Sequence, residues 1–261
     1  MSAEGQLLPE DLGAGVCRLT LSNPRRRNAL TASMLEALKA LFSNAPNVRA
    51  WLICGEGRQA FCAGYNIETL QHYEAEQQLP DECVNEALCA LEAHPAPSVA
   101  LVHGFAFGAG LELAAACDFR VSDLTGTFCM PPARLGLGYP LSGIRRMANL
   151  IGLGKARHMF LTGEKVLAPH ALEWGLLTEL KPSPEEAQAY ALGLCQRLAA
   201  GAPLALQGMR AAMRTYAAGA WVDAKTLAQL REARLQAYNS EDAREGKAAF
   251  LEKRPPQFKG R

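Results

Sequence analysis

An α/β core followed by a helical extension is the fold class that this 261-residue sequence predicts. Three observations carry it. Strand and helix signals alternate from residue 15 to residue 130. From residue 142 onward the signals are helical, and several segments open with proline at the first turn. Within the alternating part lies Gly104-Phe105-Ala106-Phe107-Gly108-Ala109-Gly110-Leu111-Glu112, a glycine-rich connection entered from an apolar run and left through a helix-like run.

Taken in order, residues 15–21 alternate apolar and polar and predict a strand. Asn23-Pro24-Arg25-Arg26-Arg27-Asn28 is a basic loop. From Thr31, the residues Leu35, Leu38, Leu41 and Phe42 recur at helical spacing, with Ser33 and Glu36 placed as a capping box. Residues 50–54 form a short buried strand, 55–58 a turn, and Phe61-Cys62-Ala63-Gly64-Tyr65-Asn66 a second loop of small residues. Residues 81–93 predict a helix stopped near Pro95 and Pro97. The strand 98–102, the glycine loop and a helix over 111–117 follow. Residues 118–122 and 127–130 are two more short strands. Helices are then expected over 142–151, 155–162, 169–174, 184–200, 203–216, 221–238 and 241–253.

Composition narrows the functional classes. Hydrophobic content of 49% supports a sizeable core. A formal net charge of +1 gives no electrostatic footprint for nucleic acid or a membrane surface. The longest apolar stretches are too short to span a bilayer, and the first twelve residues lack the basic and apolar regions of a secretory signal. The eight cysteines include no C-x-x-C pair, and several sit inside apolar runs as reduced, small hydrophobes. A cytoplasmic protein without disulfides is expected. The five histidines show no zinc-ligand spacing, so no metal site is expected.

The glycine loop carries chemistry. Its glycines and alanines strip side chains from the turn, so a ligand can approach the backbone. The first N–H groups of the following helix lack intrahelical acceptors and carry the positive end of the dipole. Such a place suits an anion, or an oxygen that becomes one during reaction. Glu112 falls in the first turn beside it.

Several segments, in order, resemble the enoyl-CoA hydratase/isomerase (crotonase) superfamily. They are Leu21-Ser22-Asn23-Pro24 through Asn28-Ala29-Leu30, Gly57-Arg58 through Phe61-Cys62-Ala63-Gly64, Gly104 through Cys117-Asp118, Leu135-Gly136-Leu137, and Ala249-Phe250-Leu251-Glu252-Lys253-Arg254-Pro255. The likeness spans about Val16 to Arg261. It implies a spiral of ββα units over residues 1–200 and a C-terminal helical region over 201–261 that builds a homotrimer or a dimer of trimers. It implies an acyl-CoA substrate whose thioester enolate is stabilised, with no cofactor beyond the CoA moiety of that substrate.

Carried over by motif, the two oxyanion donors are the backbone N–H groups of Tyr65, directly after Ala63-Gly64, and of Ala109, directly after Gly108. A backbone donor tolerates alanine where the family commonly has glycine. Glu112 matches one of the two glutamates of the hydratases. Position 132, where the second is expected, holds proline, which has no proton to give. Tyr139 is the nearest substitute, and the segment 128–139 looks like the bacterial methylmalonyl-CoA decarboxylase branch, where a tyrosine occupies the matching place. Asn66 stands where an aspartate is common. Arg25, Phe250 and Lys253 match CoA-contacting positions, the last two often reaching across a subunit interface. His103 is expected as a core histidine. Three functions follow as expectations: hydratase/isomerase chemistry, malonyl-type decarboxylation, or a non-catalytic acyl-CoA-binding subunit. A serine hydrolase is disfavoured because there is no G-x-S-x-G elbow.

Overall fold

The computed structural model describes residues 5–66, 80–135, 137–219 and 224–261. The chain opens on β1 (Gln6–Asp11), which pairs antiparallel with β2 (Val16–Ser22). β1 leaves little trace in the pattern of residues, because five of its six residues are exposed and it has no buried face to produce alternation. The basic loop then forms a 3-10 turn over Pro24–Arg26.

Helix α1 (Ala32–Ser43) buries Met34, Leu35, Leu38 and Phe42. Its cap corrects the expected Ser33/Glu36 box. Thr31 is the N-cap, and its hydroxyl accepts from the Met34 N–H at 3.2 Å. Thr31 has extended backbone next to the bridge that Leu30 makes to Tyr65, so the helix starts two residues earlier than the box requires.

From here the chain repeats one pattern. β3 (Ala50–Gly55) and β4 (Ala60–Cys62) lead to α2 (Pro80–Ala93); β5 (Ser98–Val102) and β6 (Phe105–Phe107) lead to α3 (Ala109–Ala116); β7 (Phe119–Asp123) and β8 (Thr127–Cys129) lead through a 3-10 turn, Pro132–Leu135, to α4 (Leu141–Thr162). Each turn gives its first strand to one sheet and its second to the other: β3, β5 and β7 are parallel neighbours in the first, β4, β6 and β8 in the second. The result is the ββα spiral that the resemblance implied. β6 was hidden from pattern reading because three residues inside a glycine loop carry no usable period.

β9 (Val166–Leu167), α5 (Ala168–Glu173) and β10 (Glu179–Lys181) complete the sheets, and α6 (Pro184–Ala199) packs across the first sheet against β3, β5 and β7. The helices expected over 142–151 and 155–162 are one element, α4, broken at Gly152. Helices α7 (Pro203–Ala217), α8 (Ala224–Asn239) and α9 (Glu241–Glu252) follow. Trp221, expected to open α8, and Gly136 of the resemblance motif lie outside the described residues, as does the side chain of Phe250.

The main core lies between the sheets and α1–α4. Trp51 is fully buried there, edge-on to Phe42 at 5.2 Å and to His94 at 5.6 Å. All eight cysteines are free; burial pushes the thiols of Cys62, Cys117 and Cys195 up to about 12. Among the described residues no helix is long and apolar enough to cross a membrane.

Candidate active site

Two loops beyond the C-terminal ends of the parallel strands β4 and β6 meet at the candidate site. The first, Ala63-Gly64-Tyr65-Asn66, is zipped to the basic turn. The Ala63 N–H donates to the Arg27 carbonyl (3.0 Å), the Leu30 N–H to Gly64 (2.8 Å), and the Asn66 N–H to Leu30 (2.9 Å). In this parallel pairing the bonds of successive residues alternate in side, so the Tyr65 N–H is turned away from Leu30. Gly64 has φ +107°, and a Cβ there would lie 3.0 Å from the Phe107 carbonyl oxygen and 3.8 Å from the Ala109 nitrogen. The Gly64 turn therefore packs against the second loop at Phe107 and Ala109.

The second loop runs from β6 into α3. The Gly108 N–H donates to Cys129 (3.0 Å), which ties the loop to β8, and the Glu112 N–H donates to the Gly108 carbonyl (2.9 Å), which closes the first helical turn. The helix begins at Ala109, two residues before its expected start. The N–H groups of Ala109, Gly110 and Leu111 thus stand at its positive end without intrahelical acceptors. A Cβ on Gly110 would sit 2.3 Å from the carbonyl oxygen of Cys62, so only glycine lets α3 start this close to β4.

Glu112 is 3% exposed. The Tyr139 hydroxyl donates to its Oε2 at 2.7 Å, and Arg146 Nη1 donates to its Oε1 at 3.0 Å. The structure thus brings Glu112 and Tyr139 together, as the motifs suggested, and adds two residues the sequence did not show. Arg146, from α4, also grips Glu92, from the last turn of α2, through Nε (2.6 Å) and Nη2 (3.2 Å). Burial depresses the Arg146 pKa, but the adjoining Glu92 and Glu112 carboxylates outweigh it and hold the pKa above its ordinary value. Gly143 makes room for the cluster: a Cβ there would lie 2.4 Å from Glu112 Oε1 and 2.5 Å from Tyr139 Cε1. The missed residues left one signal. Gly143, Arg146 and Met147 are spaced to share one helix face, and Met147 is fully buried.

Pro132 is buried in the 3-10 turn after β8, so position 132 offers no carboxylate. Arg25 is exposed in the basic turn, beside Arg27, whose guanidinium lies 5.5 Å from the centre of the Phe105 ring. Arg26 donates to the Asn66 side chain at 3.3 Å, a role an amide oxygen fills in place of aspartate. Lys253 is exposed just after α9. The tail beyond it docks through the Phe258 carbonyl on Arg49, at the N-terminal end of β3, opposite the end that carries the loops. Burial lowers the His103 pKa, in keeping with a core histidine. A cavity of about 730 Å³ opens against Glu92 and Arg146, lined also by Ala115, Ala116 and Met213, and Glu112 does not line it. Among the described residues no cluster of His, Cys, Asp and Glu could hold a metal.

Backbone N–H groups at a helix start, with a buried carboxylate in that helix's first turn, are suited to stabilise an oxyanion and move a proton at a neighbouring carbon. Known proteins resemble this chain in sequence and in fold. A family model described as enoyl-CoA hydratase/isomerase matches residues 11–261. The 2,3-dehydroadipyl-CoA hydratase of Escherichia coli K12 is 34% identical over 249 residues, covering 94% of this chain and 96% of its own. The carnitinyl-CoA dehydratase of Salmonella typhi is 32% identical over 257 residues, covering 94% and 95%. Among solved structures, an enoyl-CoA hydratase/carnithine racemase from Magnetospirillum magneticum superposes with a TM-score of 0.88 at 27% identity, covering 98% and 96% of the two chains. An enoyl-CoA hydratase from Polaromonas sp. JS666 does so with a TM-score of 0.82 at 32% identity, covering 97% and 99%.

Proposed function

Because the chain belongs to the enoyl-CoA hydratase/isomerase (crotonase) family, we propose that it forms the enolate of an acyl-CoA thioester and moves protons at carbon with a single carboxylate, Glu112. The thioester oxygen sits between the N–H groups of Tyr65 and Ala109. Glu112 takes a proton from the acyl chain, the C–H electron pair enters the new carbon–carbon double bond, and the thioester π pair moves onto oxygen. The proton on Glu112 then returns to a different carbon of the same π system. The double bond has migrated and the carboxylate is regenerated. Each backbone donor to the developing charge contributes about 3–4 kcal/mol in a dry site.

The observation that supports this most is the Glu112 carboxylate, buried and fixed by Tyr139 and Arg146, with proline at position 132. Hydration needs one group to deprotonate water and another to protonate the α-carbon, whereas isomerisation needs one. A second reading has its own support. The Tyr139–Glu112 bond suits a malonyl-type decarboxylation, in which loss of carbon dioxide leaves the enolate and the pair supplies a proton to the α-carbon. Neither reaction is redox, so no cofactor beyond the substrate's CoA moiety is needed. Arg25 takes CoA phosphate, and Phe250 and Lys253 take CoA across the interface of a trimer or a dimer of trimers. Support for that assembly is the exposed stripe of Met209, Met213 and Tyr216 at helical spacing on α7.

The test is turnover on a panel of 2-enoyl, 3-enoyl, 3-hydroxyacyl and methylmalonyl thioesters of CoA. Interconversion of 2- and 3-enoyl thioesters, lost by about 100-fold or more in Glu112→Gln, is expected. Efficient hydration would overturn the single-carboxylate reading. Carbon dioxide release that depends on Tyr139 would move the assignment to the second. CoA binding without any turnover would make the chain a non-catalytic acyl-CoA binder.

A further inference from the structure

We propose that Arg146 is a positioning residue of this site: anchored by Glu92, it holds the Glu112 carboxylate in the orientation from which it meets substrate carbon. The proposal rests on Glu112 being the proton-transfer group. Arg146 lies side-on to Glu92 with two bonds and end-on to Glu112 with one. The two-bond grip fixes the guanidinium plane, so the remaining N–H arrives at Glu112 from a set direction. The side chains of Arg146 and Glu112 are 8% and 4% exposed, so losing either partner leaves a charge buried.

The charge count matters as much as the geometry. One guanidinium faces two carboxylates, so its hold is shared between Glu92 and Glu112. A guanidinium devoted to Glu112 alone would neutralise it and weaken it as a base; Glu92 divides that hold. Tyr139, Gly143 and Arg146, all against Glu112, come from one eight-residue stretch of chain, so the approach to α4 and its first two turns act on the carboxylate as a unit. The other ionisable groups nearest Arg146 are Cys89 on α2, and Arg145, Arg210 and Arg214 around the cavity. Arg210 is occupied by Asp118, and Arg145 and Arg214 donate to the backbone carbonyls of Ala218 and Glu92. The cavity against Arg146 also gives a small cation a route to its place.

The experiment compares Arg146→Ala, Arg146→Lys and Glu92→Gln with wild type. Arg146→Ala is expected to lose about 100-fold in kcat with KM within about threefold. Millimolar guanidinium chloride restores at least about a tenth of the loss, whereas urea and sodium chloride at equal concentration do not. The acid limb of the pH–rate profile moves up in Arg146→Ala and down in Glu92→Gln, opposite shifts that loss of packing alone does not produce. Should Arg146→Ala fail to fold, Arg146→Lys keeps the charge without the fork and shows a lowered kcat with an unmoved acid limb. A carbon-13 titration of the Glu112 carboxylate, assigned by its loss in Glu112→Gln, reads the same opposite shifts without turnover. An unmoved Glu112 titration in Arg146→Ala, or kcat within about threefold of wild type, overturns the proposal. Wild-type turnover by Glu112→Gln overturns instead the reading on which it rests.

Discussion

A methyl group on Gly143 tests the site without replacing any charged residue. Its Cβ would sit 2.4 Å from Glu112 Oε1, and ordinary van der Waals contact begins at 3.4 Å, so the carboxylate must retreat by about 1 Å. That oxygen is bonded to Arg146 at 3.0 Å, and its partner oxygen to Tyr139 at 2.7 Å. A shift of that size stretches at least one of these bonds beyond useful length. A strained buried bond costs about 1–3 kcal/mol, and alanine for glycine inside a helix returns about 1 kcal/mol. Gly143→Ala should therefore change stability by no more than about 2 kcal/mol, while misplacing the Glu112 carboxylate by about 1 Å is expected to cost about 100-fold in turnover. Urea unfolding followed by fluorescence reads the first quantity, and turnover of the best thioester reads the second. A variant within about threefold of wild-type activity would refute the packing argument.

Three further outcomes are expected. His94 accepts at Nδ1 from Trp51 Nε1–H (3.3 Å) and the Ala96 N–H (3.0 Å), and its Nε2 meets the Ala45 carbonyl at 3.2 Å, so the folded ring is held neutral. Burial, with Arg210 adding to it, depresses its pKa, so the unfolded chain takes a proton first; stability should be complete above about pH 6.5 and fall below it, and a flat urea-unfolding series down to about pH 5 would contradict this. Gly110→Ala drives a methyl into the Cys62 carbonyl and should destabilise by about 1–3 kcal/mol with loss of activity, measured by thermal unfolding; an unchanged midpoint counts against the contact. In native protein, alkylation should reach exposed Cys89 and spare Cys62, Cys117 and Cys195 until unfolding, as peptide mass mapping would show.

What the sequence revealed was local. The glycine loop, the helix behind it and Glu112 in its first turn are set by neighbours within ten residues, so spacing alone exposed them. Tyr65 and Ala109 needed the resemblance, because a backbone donor leaves no mark in side-chain identity. Arg146 and Glu92 were illegible for another reason. They stand on two helices 54 residues apart in the chain. A charge on an amphipathic helix reads as solvent-facing until the partner helix is in place. Their cluster exists only because α2, α3 and α4 converge, which no window of sequence contains. The same holds for β10, three residues paired across the sheet with β7. The Thr31 cap was displaced by tertiary structure as well, since the Leu30–Tyr65 bridge sets where the extended chain ends.

The most direct test of the account is a crystal structure with a saturated acyl-CoA bound, which presents the thioester without completing the reaction. The account predicts the thioester oxygen about 2.7–3.1 Å from both the Tyr65 and Ala109 nitrogens, with Glu112 as the one carboxylate facing the acyl carbons. A thioester oxygen placed elsewhere, or a second carboxylate opposite Glu112 at the α-carbon, would contradict it.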